Sequence, residues 1–189
     1  VLRLNTDGRG RYLGEFQGED RILVVNKNGT YYTTDYDLSN HYEEGFSVIE
    51  KYEPEKVWSA VFFDAEQQFY YLKRFRFEES AKLNSFIGEA KDSYLVCLSD
   101  EQHPRFEVVF GGRYESRPAE VIVAEDFIAE KSFKARGKRV TTFEVKEIRE
   151  IEPLEQESEE VEEVEFEITN PEEVAGETQM TLDFTQEEE

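Results

Sequence analysis

Short apolar and aromatic runs, separated by turn-forming residues, follow one another along the first 150 positions of the chain. The clearest example lies at residues 21–38, where an apolar run precedes Asn28-Gly29 and a β-branched and aromatic run follows it. Asn-Gly accepts the positive φ angles of a type I′ turn, so this segment predicts a β-hairpin.

Residues 57–77 repeat this arrangement around a polar turn at Asp64–Gln68. The second strands of the two predicted hairpins, residues 31–38 and 70–77, lie about 40 positions apart, which is a period typical of propeller blades. The spacing therefore indicates a propeller-like repeat.

Further short strands are predicted beyond the second hairpin, with a Pro-containing segment and Gly111-Gly112 as turns between them. Residues 78–92 lack a clear pattern and could include a short helix. Many short strands with almost no helical periodicity predict an all-β fold. The additional strand candidates are residues 94–98, 105–110, 120–123 and 132–145, the last with Gly137 as its expected turn.

Charge divides the 189-residue chain into two parts. The whole chain has 44 acidic and 22 basic residues, but residues 151–189 contain 16 of the acids and no Lys or Arg. Residues 1–150 are therefore nearly balanced, with 28 acids against 22 bases. We expect a folded body at 1–150 and an acidic, largely disordered tail at 151–189, because the tail is too polar to offset its ordering entropy. Alternation at residues 164–168 could add one edge strand to the body.

Several classes of function are disfavoured by the sequence. No apolar run approaches the ~18 residues of a membrane span, and no leader pattern opens the chain, so we do not expect secretion. Cys97, the one cysteine, excludes an internal disulfide, fits a reducing cytoplasm and is expected as a small core residue. His41 and His103 lack the spaced partners of a zinc site, and no phosphate-binding glycine loop occurs. We therefore expect no catalytic residue, metal or cofactor in this chain.

Basic residues cluster at three places in this acidic chain. Arg9 and Arg11 flank Gly10, Lys73 lies in a strand candidate with two arginines, and the densest cluster spans residues 131–139. Such groups bind phosphate backbones through counterion release, although a solvated face that balances nearby Glu is the alternative. The candidate residues are Arg9, Arg11, Lys73, Arg74, Arg76, Lys131, Lys134, Arg136, Lys138 and Arg139.

Strand alternation separates two groups within the second cluster. Arg74 and Arg76 share one face and are expected on the surface if Phe75 and Phe77 point inward. Lys73 then shares the inward face with Phe75, unless it lies near a strand end and its amine reaches outward to solvent.

Three segments together resemble the C-terminal domain of bacterial type IIA DNA topoisomerase A subunits, more closely topoisomerase IV than gyrase. They are RILVVNKNGTYYTTDYDL at 21–38, YYLKRFRFEE at 70–79 and KSFKARGKRVTTFEVKEIREIEPLE at 131–155. The resemblance covers most of residues 10–155. It implies a β-pinwheel, a propeller-like disc whose outer rim binds and bends duplex DNA, here short or broken with about three blades.

The resemblance also implies a role. The ten basic residues above would contact DNA and steer strand passage, with little sequence specificity, at a nucleoid-associated cytoplasmic location. The cleaving tyrosine, the partner ATPase subunit, ATP and Mg²⁺ would belong to other parts of the parent enzyme. A Gln-Arg-Arg-Gly-Gly-rich wrapping box of gyrase is missing, since Gly111-Gly112-Arg113 is only a fragment of it. Its absence argues for topoisomerase IV.

Residues 179–184, QMTLDF, resemble a short sliding-clamp-binding peptide in which Gln179, Leu182 and Phe184 enter adjoining pockets. The alternatives are an ordinary apolar patch at a chain end and a segment that docks back on the body.

Two other functions stay open at this point. One is a propeller-like protein-interaction module whose basic patches bind an acidic protein instead of DNA. The other is a β module that binds a saccharide through exposed tyrosines such as Tyr31, Tyr32 and Tyr70, although Tyr also fills half-buried strand faces.

Overall fold

A computed structural model describes residues 1–155 and 178–183. Within those residues the chain forms fifteen β-strands, a 3-10 helix at Gly112–Tyr114 and one short α-helix, α1, at Ala124–Phe127. The all-β prediction is confirmed. The strands are β1 (Leu2–Asn5), β2 (Arg11–Phe16), β3 (Ile22–Asn26), β4 (Thr30–Thr34), β5 (His41–Tyr42), β6 (Phe46–Lys51), β7 (Trp58–Asp64), β8 (Phe69–Phe75), β9 (Asn84–Ser85), β10 (Tyr94–Ser99), β11 (Arg105–Phe110), β12 (Glu120–Val123), β13 (Lys138–Arg139), β14 (Val145–Ile151) and β15 (Thr178–Asp183).

Packing divides the chain into two compact units. The smaller unit contains Val1–Asp20, Asp35–Glu44 and strand β15, and the larger unit contains Arg21–Thr34 and Gly45–Leu154. This division does not coincide with the boundary at residue 150 predicted from composition, because β15 pairs with strands near the start of the chain. Residues 164–168, the predicted edge strand of the tail, lie outside the described residues.

The smaller unit is built on one sheet with the strand order β2-β15-β1-β5. Strand β15 lies between β1 and β2, and Leu182 pairs with Leu4 on one side and Arg11 on the other. The Leu182 side chain is fully buried, and Met180 of the same strand is nearly so. A strand from the acidic tail is thus a central strand of this sheet.

The larger unit contains three sheets, with the orders β6-β3-β4-β9, β10-β7-β8-β13 and β12-β11-β14. In the first two, an antiparallel hairpin occupies the centre and a two-residue strand from further along the chain completes one edge. Strands β4 and β8 hold equivalent inner positions, which explains the spacing of about 40 residues in the sequence. Together with the sheet of the smaller unit, the described residues form four sheets, whereas about three blades were expected from the sequence.

The sheet of β7 and β8 is buried on both faces, because its side chains alternate between two cores. One face joins the core cluster that contains Val25 and Tyr31 of the preceding sheet, and the other joins the cluster of Phe106 and Val108 from the following sheet. The side chains on the first face are Trp58, Ala60, Phe62, Tyr71 and Phe75, and those on the second are Val61 and Leu72.

The first hairpin is confirmed, but its turn differs from the prediction. Gly29 has φ +81°, while Asn28 does not take a positive φ angle, so the turn is not type I′. Instead the Gly29 amide donates to the Asn26 carbonyl at 3.1 Å, and a left-handed Gly29 leads into β4. This is the longer hairpin connection, in which a turn is followed by one left-handed glycine.

Two other predicted elements are wrong. Residues 78–92 contain the short strand β9 and no helix. Residues 132–145 do not form a hairpin at Gly137, because their two ends pair with different sheets: β13 pairs with β8, and β14 pairs with β11. Strand pairing with distant partners therefore overrides the local turn signal of glycine.

Candidate nucleic-acid interface

The densest basic cluster forms the exposed edge of the sheet that contains β8. The Lys131 amide donates to the Arg74 carbonyl at 2.9 Å, β13 pairs with Leu72 and Tyr71, and the Val140 amide donates to the Tyr70 carbonyl at 2.8 Å. Residues 131–140 thus run antiparallel to β8 from Arg74 back to Tyr70. We call their five cationic side chains the basic edge: Lys131, Lys134, Arg136, Lys138 and Arg139.

All five side chains of the basic edge are exposed, and nine consecutive residues from 131 to 139 contain no carboxylate. Aromatic rings lie within about 6 Å of four of the cations and are closest to two of them. The Arg139 guanidinium lies 3.9 Å from the Phe69 ring centre, and the Lys138 amine lies 4.3 Å from that of Phe127. Such contacts hold long side chains in place while leaving their charge in solvent.

The remaining members of the basic edge differ in their ion pairs. Arg136 contacts the buried Asp64 carboxylate at 3.1 Å, and Glu66 is 3.7 Å away. For Lys131 and Lys134, by contrast, the described part of the chain supplies no ion-pair partner. Within the described residues Lys138 and Arg139 also have no carboxylate partner, so four of the five cations are available to an external anion, and Lys131 and Lys134 are the two that lie before the left-handed Gly137.

Arg74 and Arg76 lie on the face opposite Phe75, as alternation predicts, but both are committed to internal partners. The Arg74 guanidinium is half-buried and donates to the Ile128 carbonyl at 3.2 Å. Arg76 forms ion pairs with Glu55 at 2.6 Å and with Glu130 at 2.9 Å. Two carboxylates compensate the charge of Arg76, and Arg74 is half-buried, so both contribute less to a phosphate-binding surface than the basic edge does.

Lys73 does not lie on the surface. Its side chain is 3% exposed, and its amine donates to the carbonyls of Phe86 at 2.5 Å, of Ala135 at 2.8 Å and of Phe133. The expectation that Lys73 reaches outward from a strand end is wrong, because the residue is central in β8 and its face is covered by two neighbouring segments. A phosphate outside the protein cannot reach this amine.

Arg9 and Arg11 belong to the smaller unit. Arg9 contacts Asp7 at 3.0 Å and Asp183 of β15 at 3.3 Å, and its side-chain hydrogen bond lowers the pKa of Asp7. Arg11 is exposed, and within the described residues no carboxylate pairs with it. Of these two predicted residues, only Arg11 has an uncompensated charge.

The corresponding edges of the other sheets are not basic. Around β9, Lys82 and Lys91 are interspersed with Glu78, Glu79 and Glu89. No Lys or Arg occurs between residues 28 and 50, the stretch that contains β5. Positive charge is therefore denser at the edge beside β8 than at these two edges.

A second group of cations lies in the connection from β11 to β12, and sequence reasoning missed most of it. The Arg117 guanidinium lies 4.0 Å from the Phe143 ring centre and bonds Glu120 at 3.1 Å, while Arg113 lies 5.1 Å from that of Tyr114. Only the Gly-Gly turn before Arg113 is a sequence signal. The contact with Phe143 depends on a residue 26 positions away, so local patterns could not reveal it.

The predicted clamp-binding peptide coincides with β15. Gln179 is exposed and Leu182 is buried in the sheet, whereas Phe184 lies outside the described residues. A clamp could take Leu182 only after β15 had left its sheet. Clamp binding stays a prediction.

One of the tyrosines proposed to bind a saccharide is not exposed. Tyr31 is fully buried in the core, and burial raises its pKa to about 12. Tyr70 shares a hydrogen bond of 2.9 Å with Tyr94 at the sheet edge.

Other reactive groups are engaged internally. Burial raises the pKa of the half-buried Cys97 thiol to about 11, which disfavours the nucleophilic thiolate. His103 contacts Glu125 at 2.5 Å. In the described ranges no cluster of His, Cys, Asp and Glu has the arrangement of a metal site, and no helix there is long and apolar enough to span a membrane.

These features define a class of protein: an all-β domain of several small sheets, with positive charge concentrated on one exposed sheet edge. The model of the family described as topoisomerase C-terminal domain, Bacteroidota, matches residues 3–152, and the chain belongs to this family. The predicted relationship to bacterial topoisomerase C-terminal domains is thereby confirmed. No curated protein and no solved structure matches the chain.

Proposed function

We propose that this chain binds duplex DNA through the basic edge, as the non-catalytic C-terminal domain of a topoisomerase IV-like A subunit. The observation that carries the proposal is the concentration of five exposed cations within nine residues of a chain whose net charge is −22. Membership of a topoisomerase C-terminal domain family supports DNA as the anion.

The proposed interaction is electrostatic and independent of DNA sequence. Lys and Arg on an extended edge can contact successive phosphates, and each contact releases condensed counterions. The basic edge contains no helix that could enter the major groove and read bases. We infer that the domain holds a duplex segment near the catalytic core of the parent enzyme and biases which DNA crossings undergo strand passage.

The type of parent enzyme is part of the same proposal. The sequence lacks the wrapping box of gyrase, so we propose the decatenating and relaxing topoisomerase IV branch over supercoiling. The parent would supply the ATPase subunit, ATP, Mg²⁺ and a location on the nucleoid.

Binding of a fluorescent duplex of about 40 base pairs to the full chain tests DNA binding. Lys131→Gln/Lys134→Gln is expected to weaken binding about 10-fold at ~50–100 mM salt and to lower the slope of log affinity against log salt by nearly 2. The reason is the loss of two phosphate contacts.

The matched control is Lys82→Gln/Lys91→Gln, which removes the same charge from the segment around β9. It is expected to change affinity less than 2-fold, because screening limits the effect of distant charges. Equal losses in the two double variants would show that only net charge matters. No binding by the original protein at the lowest salt would favour a protein-interaction module instead.

The acidic tail is expected to compete with DNA for the basic edge. Replacing the ten glutamates between residues 157 and 177 by Gln should raise DNA affinity at ~50 mM salt and have little effect at ~200 mM, because screening weakens the competition. Substitution is preferable to removal of residues 151–189, since removal also deletes β15. Equal affinity of the two proteins at low salt would contradict competition by the tail.

A further inference from the structure

The buried Lys73 has a hydrogen-bonding arrangement that only its charged form satisfies completely. Its ammonium has three protons, and three backbone carbonyls accept from it: those of Phe86, Phe133 and Ala135. The rings of Phe62 and Phe75 lie 5.8 and 5.1 Å from the amine. The Lys73 side chain thus joins the neighbouring segments to β8 by hydrogen bonds, as backbone ladder bonds do elsewhere in the sheet.

The three acceptors belong to two segments that cross from later parts of the chain. Phe86 directly follows β9, which completes the sheet of β3 and β4. Phe133 and Ala135 lie on either side of Lys134, in the stretch between Lys131 and β13 where no ladder pairs form. Without Lys73, hydrogen bonds would join residues 131–140 to β8 only at their two ends, and between those ends the buried Phe133 ring and the Arg136–Asp64 ion pair would remain.

We infer that Lys73 is a positioning residue for DNA binding, which holds residues 133–135 against β8 so that Lys134 within this segment and Lys131 before it face outward. This inference rests on the proposed function. It reverses the expectation from sequence, in which Lys73 itself contacted DNA. The role needs the ammonium, because a neutral amine can donate only two hydrogen bonds.

Burial lowers the pKa of Lys73 from 10.5 to about 7, so its charge varies near neutral pH. The surrounding cavity of about 390 Å³ contains charged groups from every element around the amine. They are Asp64 and Glu66 from β7 and its turn, Glu89 from the segment after β9, and Lys134 and Arg136 from the basic edge.

The lowered pKa of Lys73 affects global stability and the fixation of residues 133–135 in opposite directions. Between pH 7 and 10.5 the Lys73 amine is protonated in the unfolded chain and neutral in the folded chain. The contribution of Lys73 to the free energy of unfolding therefore increases as pH rises through this range and is lost as pH falls toward 7. The fixation of residues 133–135 weakens over the same range, because the amine loses a donor. DNA affinity and global stability are therefore expected to diverge above pH 7.

Hydrogen–deuterium exchange of Lys73→Met tests the positioning role without DNA. Exchange of the Lys134 and Ala135 amides, which donate to Ser132, is expected to rise at least 10-fold, while amides of β7 and β8 keep their protection. Unchanged exchange of the Lys134 and Ala135 amides would overturn the inference whether or not DNA binds. If Lys73→Met does not fold, Lys73→Gln, which retains two donor protons, replaces it in every measurement.

A double-mutant cycle tests the link to DNA. Lys73→Met is expected to weaken DNA binding about 10-fold, as the double variant Lys131→Gln/Lys134→Gln does. The triple variant is expected to bind no more than about 2-fold more weakly than this double variant, because both changes remove the same contacts. Fully additive losses would overturn the link. If the original protein does not bind DNA, the proposed function fails, while the exchange experiment still decides whether Lys73 fixes the segment.

The pH profile separates positioning from general stabilisation. From pH 6.5 to 9, the DNA affinity of the original protein is expected to fall several-fold more than the DNA affinity of Lys73→Met. Over the same range the unfolding free energy of the original protein is expected not to fall. Because the two proteins differ only at residue 73, the contributions of all other groups cancel in the comparison. Parallel profiles of the two proteins would contradict a role of the ammonium form.

Discussion

Leu182→Ala is expected to destabilise the sheet of the smaller unit by about 2–5 kcal/mol, the cost of deleting a fully buried leucine side chain. The effect should be large because Leu182 is in a central strand, where it pairs with both Leu4 and Arg11. Loss of β15 would leave β1 and β2 without a common neighbour.

Hydrogen–deuterium exchange of the amides in β1 and β15, with denaturant titration, measures this cost. Gln179→Ala is the matched control, because Gln179 is exposed on the same strand. It should change stability by no more than about 0.5 kcal/mol. Similar losses for the two substitutions would mean that β15 does not contribute its apolar face to this sheet.

Gly137→Ala is expected to cost about 2–4 kcal/mol and to weaken DNA binding at least 10-fold, since it should displace the basic edge from β8. A Cβ atom at this position would lie 2.4 Å from the Leu72 carbonyl oxygen and 2.8 Å from the Lys73 Cβ. Backbone cannot give way as a flexible side chain can, so the segment itself must move. The left-handed φ of +92° adds strain for alanine.

Gly45→Ala isolates the contribution of φ, because Gly45 has φ +108° and nothing lies within 4 Å of the added Cβ. This control should cost about 1 kcal/mol and leave DNA affinity unchanged. Denaturant unfolding and the salt-dependent duplex titration measure both quantities. Equal stability losses at the two glycines would contradict the close approach of residue 137 to β8.

Local patterns predicted the strands well where a strand lies within one hairpin. The alternation and turn residues at 21–38 and 57–77 correspond to β3–β4 and β7–β8, and residues 105–110 and 120–123 coincide with β11 and β12. Period-two alternation is a local property, and strands in which it is strong need no distant information. The family resemblance rested on the same segments.

The failures concern strands that belong to a distant sheet. Gly137 looked like a hairpin turn, but its positive φ serves a close approach to β8. Likewise, residues 179–184 resembled a clamp-binding peptide, while Leu182 within them completes a sheet whose partners lie near residue 4 and residue 11. Pairing energy between segments far apart in sequence leaves no local pattern.

The sequence by itself determined the all-β class, the two central hairpins, the family and the location of the densest positive charge, because each follows from the order of residues in one short segment. Only the tertiary structure decided which cations are available. It buried Lys73 beneath two crossing segments, paired Arg76 with Glu55 and, among the residues that the structure describes, gave Lys131 and Lys134 no carboxylate partner. Whether a charge is solvated or compensated depends on neighbours that folding brings together, and residue order does not specify those neighbours.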